Sequence, residues 1–142
     1  MRRVVVTGMG ALTPIGNNVK SYLEGLQKGL SGANMITKFD ASNFKTQFAC
    51  EVKNFNPEDF IEKREVRRLD EFTQYALATA VEAVEDAGFD LEKIDLDRVG
   101  VIFGSGIGGF SFFGKKNKEF FKGESGFPLH PFIISPKNFF IS

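Results

Sequence analysis

The segment RRLDEFTQYALATAVEAVEDAGF, residues 67–89, decides the fold because it carries the strongest local signal in the chain. Its apolar residues recur at helical spacing, and Gly88 stands where a helix commonly ends in a left-handed residue. The pattern predicts one long helix over residues 69–87. This helix would carry five alanines, which implies that another part of the structure packs closely against its backbone: Ala76, Ala78, Ala80, Ala83 and Ala87.

Two further helices are predicted upstream of this segment. Asn17 or Asn18 can cap the first, and Gly32 would lie just past its end. Asn56 can cap the second, a short helix with a first-turn proline at position 57. The apolar face of the first helix follows the i, i+3, i+4, i+7 spacing and consists of Val19, Tyr22, Leu23, Leu26 and Leu30.

Three segments are predicted to be strands. Residues 4–6 and 99–103 are short apolar runs typical of buried strands, and residues 48–55 alternate between apolar and polar side chains. The resulting order of strands and helices is β, α, β, α, α, β. Such an order indicates a layered α/β protein.

A glycine-rich loop follows the last predicted strand in VGVIFGSGIGG, residues 99–109. Glycines after a strand often let backbone amides approach a phosphate. Here, however, Phe110 and Ser111 follow the last glycine where a P-loop has lysine and serine or threonine, and the spacing G-x-G-x-x-G is missing. These departures disfavour a phosphate site, and with it a small nucleotide-binding domain.

Composition excludes several classes of protein. The 142 residues carry 18 basic and 18 acidic side chains, which argues against a broad surface for nucleic acid or membrane. The single cysteine rules out an intramolecular disulfide framework. The N-terminal apolar run of three valines is too short for a signal peptide or a membrane span, so we expect a cytoplasmic protein.

Three motifs together resemble the N-terminal part of β-ketoacyl-acyl-carrier-protein synthases of the type II elongating kind. They are VVVTGMGALTPIGNN, RRLDEFTQYALATAVEAVEDAG and VGVIFGSGIGG, and the resemblance covers residues 1–109. It implies the N-terminal portion of a thiolase-like layered α/β/α/β/α fold, a homodimer and no cofactor. It also implies decarboxylative condensation of malonyl-carrier with an acyl chain held on a cysteine.

The resemblance gives the glycine loop a different role. In similar proteins this loop borders the acyl-chain pocket, and the residue that matches Ile107 gates entry of the chain. Glycines would then let the backbone pack beside an apolar tunnel without binding an oxyanion. Without the resemblance, Ile107 would be interpreted as an ordinary core residue.

A basic cluster precedes the long helix in EKREVRRLDEF, residues 62–72. Arg64, Arg67 and Arg68 are three and four residues apart, so a helix would place them on one face. The resemblance implies that they dock an acyl carrier protein, an acidic partner with a phosphopantetheine arm. From the residues alone, a solvated face with Glu65 and Asp70 as local partners is the alternative.

The family's catalytic residues are not expected within these residues. Cys50 shares only Ala-Cys with the nucleophile motif and is predicted to be structural, within a strand, and His130 is predicted to be a loop residue. The tail, residues 110–142, holds nine of the 17 phenylalanines and matches the family poorly, which suggests a frameshifted reading. We therefore expect a segment of a condensing enzyme that is inactive alone or, alternatively, a non-catalytic carrier-binding or pseudogene product that keeps the dimerising face.

Overall fold

The computed structural model describes residues 3–90, 92–106 and 109. Ile107, His130 and the tail from residue 110 lie outside the described residues. The helices and strands within them are, in chain order, α1 (Val19–Gln27), β1 (Asn34–Met35), β2 (Phe48–Ala49), a 3-10 helix (Pro57–Asp59), α2 (Lys63–Val66), α3 (Glu71–Ala87) and a second 3-10 helix (Leu96–Arg98).

The long predicted helix is confirmed as α3. It begins two residues later than predicted because Asp70 acts as the N-cap, and its carboxylate accepts a 3.0 Å hydrogen bond from the amide of Glu71. Gly88 ends the helix in the left-handed conformation, with φ of 62°. A residue without a Cβ adopts this conformation at no steric cost.

Helix α1 has the predicted start and an earlier end. Asn18 and Ser21 form a capping box at the start, in which each side chain accepts a hydrogen bond from the other residue's amide. The helix stops at Gln27 because Gly29 turns left-handed, at φ of 64°. The amide of Leu30 then bonds the carbonyl oxygen of Gly25, so Leu30 lies outside the helix that was predicted to include it.

The close approach expected at the alanine-rich helix comes from this chain's own N-terminal segment. A methyl group at Gly10 would overlap the carbonyl oxygen of Thr79, and one at Gly8 would lie 2.6 Å from the amide nitrogen of Ala87. The amide of Met9 donates to the carboxylate of Asp86 at 2.9 Å. Glycines at positions 8 and 10 are therefore required for the segment to lie against α3.

The predicted strand at residues 48–55 is mostly wrong. Only β2 pairs, antiparallel to β1, with Phe48 opposite Met35 and Ala49 opposite Asn34. The described ladder consists of these two residue pairs alone.

The predicted strands at residues 4–6 and 99–103 are also absent from the described structure. Val4 is 92% exposed and Ile102 is 96% exposed, and neither run pairs with another described segment. A strand needs a partner to satisfy its amides and carbonyls, and an apolar run alone does not supply one. The short predicted helix at Asn56 is confirmed as the first 3-10 helix, with Asn56 as its N-cap.

The described residues bury few side chains. Ala78 of α3 is 5% exposed, and the other buried side chains are Ala41, Ile61 and Thr73. Ile61 lies between the first 3-10 helix and α2, so it anchors the segment that leads into the basic cluster. The packing thus holds α2 and α3 in place while leaving large apolar side chains exposed elsewhere.

Candidate functional site

The basic cluster predicted from the sequence forms one surface depression. Lys63 and Arg64 belong to α2, Arg67 is its C-cap, and Arg68 follows in the next turn. All four side chains line the same depression. Helix α2 ends at Val66, so a single helix does not carry all three arginines, but the structure still brings their side chains together.

The turn that carries Arg67 and Arg68 is hydrogen-bonded to α3. The side-chain amide of Gln74 donates to the carbonyl oxygens of Val66, at 3.1 Å, and Leu69, at 2.9 Å. These carbonyls flank the two arginines on either side. Gln74 therefore holds the backbone of the cluster. Sequence alone does not predict this role, because an isolated glutamine on a helix gives no signal of its own.

The four cations differ in their ion pairs. Arg68 Nη1 lies 3.5 Å from Glu65 Oε1, and Lys63 Nζ lies 3.6 Å from Glu58 Oε1. Arg64 and Arg67 are exposed and form no ion pair with any described residue. Of the two local partners named for a solvated face, Glu65 pairs with Arg68, and Asp70 forms no ion pair with a described residue.

An ion pair outside the basic depression joins the loop after β1 to the first turn of α3. Lys38 Nζ donates to Glu71 Oε2 at 2.5 Å, and this hydrogen bond is the main cause that raises the pKa of Lys38. Burial raises the pKa of the nearby Tyr75 phenol. Glu51 secures the same loop by accepting from the hydroxyl and amide of Thr37, which lowers the pKa of the Glu51 carboxyl.

Glu82 is a second residue whose role was not predicted from the sequence. Its carboxylate accepts from the amide of Ala11 at 2.8 Å and from the amide of Val19 at 2.7 Å. It thereby joins α3 to both the N-terminal segment and the first turn of α1. Both contacts span more than 60 residues in sequence, so no local pattern predicts them.

Cys50 is exposed and follows β2 rather than lying inside a strand, so its predicted position was wrong. The strand stops at Ala49 because β1 offers no further partner residues. No described helix begins at Cys50.

The part of the chain that the structure describes contains neither a metal-ligand cluster nor a helix that could span a membrane. No group of three or more His, Cys, Asp or Glu side chains there is arranged to hold a metal ion. Among the same residues, no helix combines the length and apolar character needed to cross a membrane.

Known proteins resemble this chain along most of its length. From Staphylococcus aureus (strain COL), the protein named 3-oxoacyl-[acyl-carrier-protein] synthase 2 is 51% identical over 118 residues, which is 83% of this chain and 28% of that protein. The protein of the same name from Synechocystis sp. is 43% identical over 108 residues, 76% of this chain and 26% of that protein. The chain thus spans little more than a quarter of the curated relatives it matches.

Two solved structures resemble the fold. The ishigamide ketosynthase/chain length factor gives a TM-score of 0.60 at 42% identity, over 66% of this chain and 23% of that one. A type II polyketide synthase ketosynthase, solved with its acyl-carrier protein and bound to the hexaketide, gives 0.70 at 26% identity, over 87% and 32%. These likenesses confirm the expected fold class, the N-terminal portion of a thiolase-like layered α/β/α/β/α fold.

The family model described as "Beta-ketoacyl synthase, N-terminal domain" matches residues 1–132. The match extends past residue 109, where the sequence resemblance was expected to weaken, and covers far more than half of the chain. A match of this extent shows that the chain belongs to the β-ketoacyl synthase family, through the N-terminal domain of that family.

Proposed function

We propose that these residues form part of a 3-oxoacyl-[acyl-carrier-protein] synthase of fatty-acid synthesis. Such an enzyme condenses malonyl-carrier with an acyl chain, with loss of carbon dioxide. The observation that carries the proposal is the 51% identity to the Staphylococcus aureus synthase over 118 residues. The activity belongs to a longer protein in those relatives, so it is assigned here to the full-length protein, meaning the whole product of the gene that contains these residues.

The basic depression is the proposed docking site for an acyl carrier protein. Arg64, Arg67 and Arg68 line it together with Lys63, and two of the three arginines have no acidic partner among the described residues. An acidic carrier would meet complementary charge there, which steers encounter and fixes orientation. The ketosynthase neighbour solved with its acyl-carrier protein supports such a partner.

The acyl pocket and the dimer belong to the same proposal. Ile107 would gate entry of the acyl chain, and the full-length protein would form a homodimer. Exposed apolar runs support a body larger than the described residues, since Val4, Val6 and Ile102 are each more than four-fifths exposed. Apolar surface of this kind is ordinarily covered by further chain or by a partner.

Charge reversal tests the docking site. In the full-length protein, we compare Arg64→Glu/Arg67→Glu/Arg68→Glu with a control that reverses three exposed lysines elsewhere, Lys20→Glu/Lys45→Glu/Lys53→Glu. Both variants change the net charge equally. Fluorescence anisotropy with labelled holo-acyl carrier protein should show weaker binding only for the arginine variant, and added salt should shrink the difference. Equal affinity in the two variants would reject the site.

A non-catalytic carrier-binding protein is the second candidate. Its specific support is the basic depression, which could bind an acidic carrier by charge complementarity without a nucleophile. Carrier binding by the full-length protein without any acyl transfer would favour this candidate.

A further inference from the structure

The basic depression contains two kinds of cation. Arg64 and Arg67 are exposed with no acidic partner among the described residues, whereas Arg68 and Lys63 each face one carboxylate of the chain itself. Glu65 is the partner of Arg68 and belongs to α2 beside Arg64. An acidic ligand entering the depression would therefore find two cations available and two already paired.

We propose that Glu65 is an internal competitor that occupies Arg68 until an acidic carrier displaces it. This inference rests on the proposed docking function and adds a residue that sets the affinity of the site. The carrier would first engage Arg64 and Arg67. Arg68 would join only after its contact with Glu65 breaks.

The geometry of the pair indicates that little free energy is needed to separate Arg68 from Glu65. The 3.5 Å separation between Arg68 Nη1 and Glu65 Oε1 is longer than the roughly 2.7–2.9 Å of a strong charge-assisted hydrogen bond. The side chains are 61% and 45% exposed, so water and salt screen their attraction. The pair is therefore weak enough for an acidic carrier to break it. Glu65 is still close enough to Arg68 to compete with that carrier.

The side chain of Glu65 can be changed without dismantling the turn. Its main-chain carbonyl oxygen accepts from the amides of Arg68, at 2.8 Å, and Leu69, at 3.1 Å. Those bonds do not involve the carboxylate. Glu65→Gln keeps the length and helix propensity of the side chain and removes its charge.

A double-mutant cycle tests the proposal in the full-length protein. Carrier affinity is measured by anisotropy, with labelled holo-acyl carrier protein, for the parent, Glu65→Gln, Arg68→Gln and the double variant. Freeing Arg68 should tighten binding by about two- to fivefold, the range expected for an exposed ion pair. In the Arg68→Gln background the same glutamate substitution should have much less effect.

Glu62→Gln is the matched control. Glu62 is exposed, makes no side-chain hydrogen bond as the N-cap of α2, and forms no ion pair with a described residue. Glu62→Gln removes one negative charge from the same short segment, as Glu65→Gln does. Tightening by Glu65→Gln that exceeds tightening by Glu62→Gln supports competition at Arg68.

The outcomes separate this inference from the docking function. If Glu65→Gln tightens binding equally with and without Arg68, or no more than Glu62→Gln does, Glu65 acts only through net charge and the competitor role is overturned. The docking site then still stands on the arginine reversals. If those reversals leave affinity unchanged, both the site and the competitor role are overturned.

Discussion

The side-chain amide of Gln74 donates a 2.9 Å hydrogen bond to the carbonyl oxygen of Leu69, and so ties the basic turn to α3. A second bond from the same amide reaches Val66 at 3.1 Å. Because Arg67 and Arg68 lie between these carbonyls, their placement depends on a residue that itself carries no charge. The contact connects the packing of α3 to the proposed docking of a carrier.

Replacing Gln74 should lower both the free energy of unfolding and the affinity for the carrier. Gln74→Met keeps the size of the side chain but removes both hydrogen bonds, each worth about 0.5–1.5 kcal/mol. We expect a loss of this order in the free energy of unfolding and severalfold weaker carrier binding. Denaturant unfolding and anisotropy on the full-length protein measure the two effects.

The control for this change is Gln27→Met, at the exposed last residue of α1. It should leave both quantities near those of the parent. Carrier binding by Gln74→Met equal to that of the control would show that Gln74 supports the helix without positioning the arginines.

A methyl group at Gly10 should be poorly tolerated. In Gly10→Ala, the new Cβ would overlap the carbonyl oxygen of Thr79 and lie 2.9 Å from its carbonyl carbon. Both are backbone atoms that cannot rotate away, so we expect a loss at the upper end of the roughly 1–3 kcal/mol typical of overpacking. Gly100→Ala is the control, because its Cβ would meet no described atom within 4 Å. Equal melting temperatures for the two variants would contradict the close contact with α3.

The pair between Lys38 and Glu71 should stabilise the fold only below strongly alkaline pH. Its hydrogen bond raises the folded pKa of Lys38 above the ordinary 10.5, so the contribution is fully present below that pH. It is lost as the pH rises through the folded pKa. Thermal unfolding of the parent and Lys38→Met, from about pH 8 to about pH 11.5, should give curves that converge at the alkaline end.

Lys45→Met, at an exposed position, controls for loss of a lysine. It should follow the parent across the whole range. A gap between the parent and Lys38→Met that stays constant above pH 10.5 would mean that the pair contributes nothing that depends on the Lys38 proton.

Enlarging Ile107 should change the chain-length preference of the full-length enzyme. If Ile107 gates the acyl pocket, Ile107→Phe narrows the entry, and overpacking there costs about 1–3 kcal/mol for chains that must pass. Medium and long acyl primers should lose rate while the shortest lose little. Rates measured across a series of primer lengths give the answer, and an equal loss at every length would favour an ordinary core role.

Local signals predicted the helices well because a helix satisfies its backbone within a few residues. The caps at Asn18, Asn56 and the left-handed Gly88 were all confirmed. Strands at residues 4–6 and 99–103 were not found in the described structure, since pairing depends on partners remote in sequence. The Glu82 contacts were not predicted for the same reason, because their partners are remote in sequence.

The candidate site was predictable only in part. Three arginines three and four residues apart indicated a common face, and the structure gathers them although the helix ends before two of them. Their ion pairs and the two hydrogen bonds from Gln74 depend on side-chain geometry that sequence spacing does not specify.

Acyl transfer tests the central claim most directly, that these residues belong to a condensing enzyme whose nucleophile is not Cys50. The full-length protein, its Cys50→Ser variant and the 142-residue chain are each incubated with radiolabelled acyl-acyl carrier protein, and covalent label is measured after denaturation. We predict label on the full-length protein, undiminished label on Cys50→Ser, and none on the 142-residue chain. Absence of label on the full-length protein, or its loss in Cys50→Ser, would contradict the account.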